Sequence, residues 1–299
     1  MPGFRRQGSG RAALLTTRRT AKAPSLLTAF VLHRYDWSES SLILDVFTRE
    51  QGRLVVAAKG AKRPYSQLRS VLLPFQRLHL SLGRTPKSGT TDAQHADAPT
   101  REVQTLRSAD WAGGAAMLTG AALFSGFYLN ELLMKLLARQ DAHPLLFDAY
   151  AQTLPALGGG DDTQVQAALR AFEVTLLQQL GVLPDLSLVT LTLDTVDPDG
   201  RYALRPEAGV TVAQPDDASV SGAMLVGMQA ALMHGSVRAL QQSCASALPE
   251  WRGLLRGLLH YHLGSSALRT RQVMLGLQSL APLPSAAVAG QLGPDPRPS

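Results

Sequence analysis

Lys59, Lys62, Arg63 and Arg69 fall inside eleven residues that contain no acid, with Tyr65 among them and Gly60 breaking the apolar run that precedes. Cations gathered this closely suit a polyanion, and a phosphate backbone is the commonest one. A tyrosine ring set between them is placed to stack on an unpaired base, the second ingredient of single-strand binding. Arg34, Arg53 and Arg77, on neighbouring segments of the same half of the chain, complete this set of candidate nucleic-acid contacts.

Other chemistries find less support. The chain has no Gly-x-x-x-x-Gly-Lys-Ser/Thr phosphate loop, no Gly-x-Ser-x-Gly nucleophile elbow and no His-Glu-x-x-His zinc helix. Asp36 and Glu39 are close in sequence, but two-metal cleavage needs several carboxylates in one pocket. They read better as part of a turn in which Ser38 and Ser40 hydrogen-bond and Glu39 pairs with a nearby arginine. His260 and His262 would point about 200° apart on a helix and so cannot share an ion. Cys244, the single cysteine, excludes an internal disulfide and a multi-cysteine zinc site, and fits a small semi-buried side chain in a reducing cytoplasm. The expectation is a binding protein, not an enzyme, without metal or cofactor.

Charge divides the chain. Residues 1–90 hold 16 Lys and Arg against 4 Asp and Glu, whereas residues 91–299 hold 13 against 19. A basic half followed by an acidic one predicts two domains with different partners. Residues 1–24 carry six cations and no acid, and read as a solvated basic arm; a transit peptide has the same composition. Residues 283–299 read as a disordered tail. No run of 18 uncharged apolar residues predicts a membrane span, and the N-terminus lacks a secretory signal.

The basic loop needs a scaffold. Leu27–His33, Leu42–Thr48, Leu54–Ala58, Phe75–Leu82 and Glu102–Leu106 read as strands, with Arg49–Arg53 as a hairpin connection. Phe75–Leu82 alternates at period two and places Arg77, His79 and Ser81 on its outer face. Five short strands over residues 25–110 predict an OB-type barrel, with an SH3-like barrel as the other solution.

From Trp111 the periods become helical, and residues 111–282 read as an α-helical domain. Ala115–Arg139 is apolar almost all round and is expected to be its spine. Further helices are expected from Pro144 to Leu157 and from Asp161 to Leu180, where Val165, Leu169, Phe172, Leu176 and Leu180 form one stripe. Residues 183–212 interrupt them with an expected β-hairpin, built from Leu188–Leu193, a turn at Asp197–Gly200 and a return through Tyr202. Helices resume at Ala218–His234, Val237–Ala247, Pro249–Leu263 and Ala267–Leu280. Arg252, Arg256, Arg269 and Arg271 near this end form a second candidate DNA surface or a solvated helix face.

A run of short segments in order resembles the RecO family of bacterial recombination mediators: Ala29-Phe-Val-Leu-His33, Trp37-Ser-Glu-Ser-Ser-Leu-Ile-Leu-Asp-Val-Phe-Thr48, Gly52-Arg53, Val56-Ala-Ala-Lys-Gly-Ala-Lys62, Leu73-Pro-Phe75 and Thr105-Leu-Arg-Ser-Ala109. Tyr128-Leu-Asn-Glu-Leu-Leu133, Ala168-Leu-Arg-Ala-Phe-Glu173 and Leu263-Gly-Ser-Ser-Ala-Leu-Arg-Thr-Arg271 extend the likeness over about residues 26–275. It implies an OB-fold followed by a helical domain, with no catalytic centre. It further implies binding to single- and double-stranded DNA, annealing of strands coated by single-stranded DNA-binding protein, and work with RecR, and RecF, in loading RecA. The acidic tail of single-stranded DNA-binding protein would dock on the helical domain, its carboxylates on Arg170 and its terminal Phe among Leu133, Leu136 and Leu169. An ordinary surface pair of Arg170 with Glu173 is the other reading of that arginine. The four cysteines that some family members carry in the inserted segment are missing, so zinc is not implied. An RNA-binding barrel protein of translation or ribosome assembly, and a metal-dependent nuclease, are the alternatives that composition alone leaves open.

Overall fold

The computed structural model describes residues 26–83, 103–114, 117–159, 161–264, 268–270 and 272–273. The expected arm and tail and Arg271 lie outside them. Five strands, β1 (Leu26–Asp36), β2 (Leu42–Thr48), β3 (Gly52–Ala58), β4 (Gln76–Leu82) and β5 (Val103–Gly114), close into a barrel in the order β1-β2-β3-β5-β4, and the one-turn helix α1 (Leu68–Val71) joins β3 to β4. Only β3 and β5 run parallel; the remaining neighbours are antiparallel. This is the OB-type architecture that the strand pattern predicts.

Leu27, Ala29, Val31, Leu44, Val46, Leu54, Val56, Leu78 and Leu80 fill the barrel. Phe30, Leu32 and Phe47 point the other way and are also buried, in the core of the helical domain. The Phe30 and Phe47 rings meet that of Phe147, at 5.2 Å and 5.4 Å between ring centres. A strand buried on both faces has no reason to alternate, which is why β1 and β2 read as continuous apolar runs. β5 is longer than the expected Glu102–Leu106 and carries Trp111 past the expected domain edge. Its inward residues Leu106 and Ala109 continue the barrel core, and its register with β4 runs to Gly114 opposite Gln76.

Among the described residues there follow the helices α2 (Gly120–Leu136), α3 (Pro144–Gly159), α4 (Asp162–Gln179), α5 (Gly222–His234), α6 (Val237–Ala245) and α7 (Leu248–Leu263). The spine is α4 and not the expected α2, since α3, α6 and α7 all pack on it and ten of its residues are buried. Asp161 caps it by accepting from the amide of Gln164. α2 is apolar all round for a different reason: it is the joint, touching β1 on one side and α3 and α7 on others. Buried Asn130 marks that joint, donating to the Leu32 carbonyl at 2.9 Å and accepting from the Tyr150 hydroxyl at 2.5 Å. At Gly52, with φ +70°, a Cβ would lie 1.7 Å from the Asp141 carbonyl oxygen, so the β2–β3 turn can approach the α2–α3 connection only as glycine.

The inserted segment differs from the expected hairpin. Its strands are β6 (Arg201–Arg205), β7 (Gly209–Val212) and the short β8 (Val220–Ser221), in the order β7-β6-β8. Leu188–Leu193 is not a strand: Val189 and Leu193 close tight turns, and Leu191 and Leu193 are exposed. Period-two alternation makes a strand only where a face can be buried, and here Leu186 and Val196, on either side, take that burial instead. Tyr202, Leu204, Val210 and Val220 hold the sheet on the core.

Candidate nucleic-acid interface

At the end of the barrel where β1 finishes and β3 runs out, two connections meet. The first spans residues 37–41, the second residues 59–67, and the pairings of Asp36 with Leu42 and of Leu42 with Ala58 bring their roots together. The Lys62 amide donates to the Ser40 carbonyl at 2.9 Å, and the Lys62 ammonium donates to the Ser38 carbonyl at 3.0 Å. Three successive turns, from Gly60 to Arg63, Arg63 to Ser66 and Ser66 to Arg69, give the basic loop a defined shape. The left-handed backbone of Gly60, at φ +72°, starts the first of them, with the Arg63 side chain lying beside it.

Between these segments is a cleft of about 370 Å³ lined by Arg34, Asp36, Leu42, Ala61, Lys62 and Arg69. Arg34 is steadied by donating to the Leu72 carbonyl at 3.3 Å. Lys59 and Arg63 are exposed, and Tyr65 is completely so. An aromatic ring left so open to water is a candidate base-stacking platform. Tyr35 and Trp37, at the end of β1 and in the adjoining connection, are exposed as well, and His33 meets Tyr35 edge-on at 4.4 Å between ring centres. No local sign in the sequence shows that Tyr35 and Trp37 flank the basic loop, because the two connections meet only in the fold. Asp36, and not Glu39, makes the ion pair, with Lys62 at 3.1 Å.

Several expected contacts lie elsewhere. Arg53 belongs to the domain joint: it pairs with Asp45 at 2.7 Å, with side chains 14% and 4% exposed, and donates to the carbonyls of Met134 and Leu137 at the end of α2. A carboxylate buried in β2 requires a cation, and the negative end of α2 uses the same guanidinium, so Arg53 is not available to DNA. Arg77 is half-buried opposite Phe30 and does not line the cleft. Arg252 and Arg256 are exposed on α7, and Arg269 is exposed beyond it.

In the helical domain Leu133 and Leu169 are core residues, 0% and 5% exposed, and therefore line no open surface; Leu136 is partly buried. Arg170 pairs with Glu173 at 2.8 Å, yet not on the surface: their side chains are 12% and 0% exposed. The Tyr128 hydroxyl donates to the same carboxylate at 2.6 Å, while Arg170 Nε has no acceptor among the described residues. Burial pushes the Glu173 carboxyl up, opposed by Arg170, Tyr128 and Arg252. Burial likewise pushes the neighbouring Cys244 thiol up to about 12, which makes it a packing residue without nucleophilic character.

Among the described residues no three His, Cys, Asp or Glu side chains gather to hold a metal ion, and no helix is long and apolar enough to cross a membrane.

Two family descriptions match the chain. The family description "Recombination protein O N terminal" matches residues 25–93, and "Recombination protein O C terminal" matches residues 117–272. The chain is similar to the DNA repair protein RecO of Polaromonas naphthalenivorans (strain CJ2), with 50% identity over 84% of this chain and 96% of the relative. It is 47% identical to the protein of that name from Polaromonas sp. (strain JS666 / ATCC BAA-500), over 89% of this chain and the whole of the relative. The Variovorax paradoxus (strain S110) protein is 49% identical over 84% and 96%. With both halves of a closed barrel and its helical partner matched at this level, the chain belongs to the RecO family.

Proposed function

We propose that this protein is a non-enzymatic recombination mediator of DNA repair that holds single-stranded DNA on the open end of its barrel and anneals complementary strands. The observation that carries the reading is the meeting of Lys59, Arg63 and Arg69 with an entirely exposed Tyr65 beside the cleft of Arg34 and Lys62. Cations there neutralise phosphates and the ring stacks on bases, a combination that is tolerant of sequence. Duplex DNA would use the same cations without the ring. Membership of the RecO family supports extending the reading to action in the cytoplasm with RecR, and RecF, in loading RecA onto DNA coated by single-stranded DNA-binding protein. The acidic tail of that protein would dock on the helical domain, where Leu136 keeps a partly open apolar side chain; Arg170, held by buried Glu173, belongs to the fold and not to that contact.

Annealing of complementary oligonucleotides without ATP tests the proposal. The protein should accelerate pairing and leave both strands intact, and Lys59→Ala, Arg63→Ala and Arg69→Ala together should remove the acceleration. Strand loss on adding Mg²⁺ would make it a nuclease, and preference for structured RNA over oligo-dT would make it the RNA-binding alternative.

A further inference from the structure

Among the described residues that line the cleft between the two connections, one is a carboxylate, Asp36, and it sits on a cation expected to meet phosphate. Asp36 Oδ1 is 3.1 Å from Lys62 Nζ, and the two side chains are 80% and 33% exposed. A pair so open to water adds little to stability, so its presence is not explained by folding. Nor does Asp36 place the lysine by itself. Lys62 is held through its backbone amide on Ser40 and through its ammonium on the Ser38 carbonyl, both independent of the carboxylate.

We propose that Asp36 is an internal phosphate mimic: it occupies Lys62 in the DNA-free protein and is displaced when a strand enters the cleft. This rests on the barrel end being the DNA site. A carboxylate oxygen and a phosphate oxygen compete for the same N–H donors of an ammonium group, and near Arg34 and Arg69 the incoming phosphate has the additional cations on its side. The effect is to weaken the held state and to make release easier, which a protein that passes a strand to its complement needs. Because Lys62 ties the basic loop to residues 37–41, exchange of its anion also reaches Trp37 in that connection.

Binding of fluorescent oligo-dT across a salt series tests this with Asp36→Asn, which keeps the shape and removes the charge. The variant should bind roughly threefold to fivefold tighter at low salt. Its slope of log affinity against log salt should be steeper by about 0.7, one more phosphate contact made without a competitor. In a Lys62→Ala background the same substitution should give little gain, which separates competition at Lys62 from a general change of charge. Weaker binding by Asp36→Asn would mean that Asp36 positions the loop, and unchanged affinity and slope would mean that the pair is irrelevant; either overturns the proposal while leaving the DNA site in place. No binding by the unaltered protein would overturn both.

Discussion

The Lys62–Asp36 and Arg170–Glu173 pairs join the same kinds of group and differ in what each cation can do next. The first lies in water at the mouth of a cleft, where its ammonium can change partners at small cost. The second lies among α2, α4 and α7 with its carboxylate fully buried, where losing the cation would strand a charge. Arg53–Asp45 is a third case on the buried side, placed between the two domains. Each joins one cation to one carboxylate, so charge type does not separate them. Burial decides which cations are working parts of a surface and which are structural.

The largest effect that could break this contrast is at the joint. Arg53→Ala should cost about 3–5 kcal/mol by leaving Asp45 buried without a partner, lowering the melting temperature by roughly 10 °C. Oligo-dT affinity of the folded fraction should be unchanged. A stable variant with weakened DNA binding would return Arg53 to the DNA surface.

Glu131 comes next. Its carboxylate accepts from the Arg269 and Thr270 amides at 2.9 and 3.0 Å and from the Thr270 hydroxyl at 2.7 Å, which anchors residues 269–270 to α2. Burial pushes this carboxyl up, but those bonds and Lys135 outweigh it and hold the group below its usual range. A depressed folded-state value stabilises above the unfolded value of about 4.3 and is lost as pH falls through the folded one. Glu131→Gln should therefore cost about 1–3 kcal/mol at neutral pH. Denaturant melts should show that difference shrinking below about pH 4, and a pH-independent difference would assign the loss to packing.

At the open end the effects move from stability to binding. Tyr65→Ala should leave the melting temperature unchanged and weaken oligo-dT binding by roughly tenfold, the loss of one stacked base. Its salt slope should match that of the unaltered protein, because the ring carries no charge. Equal loss of affinity for duplex and single strand would argue against stacking.

Much of this was legible in the sequence, and the gaps have physical causes. The basic loop shows because four cations and a tyrosine cluster locally, and α4 shows because one stripe of five apolar residues faces a single core. Arg53 was misread because its partners, Asp45 across the sheet and the carbonyls of α2 some 80 residues on, are assembled only by folding. One signal was present: an aspartate inside the apolar strand Leu42–Thr48 has to be answered by a cation. Leu188–Leu193 alternates as a strand does, but burial goes to its flanks, which no local pattern announces. Leu133 and Leu169 fill the core, and the sequence does not separate them from pocket walls because apolar residues that bind a partner and those that fill a core have the same composition.

The most direct test of the central claim, that the exposed cations of the barrel end hold DNA while the buried ones hold the fold, is the salt dependence of oligo-dT binding by the triple variant Lys59→Ala, Arg63→Ala, Arg69→Ala. Loss of three phosphate contacts should flatten the slope by about 2 with the melting temperature unchanged, whereas an unaltered slope would place the DNA site elsewhere on the molecule.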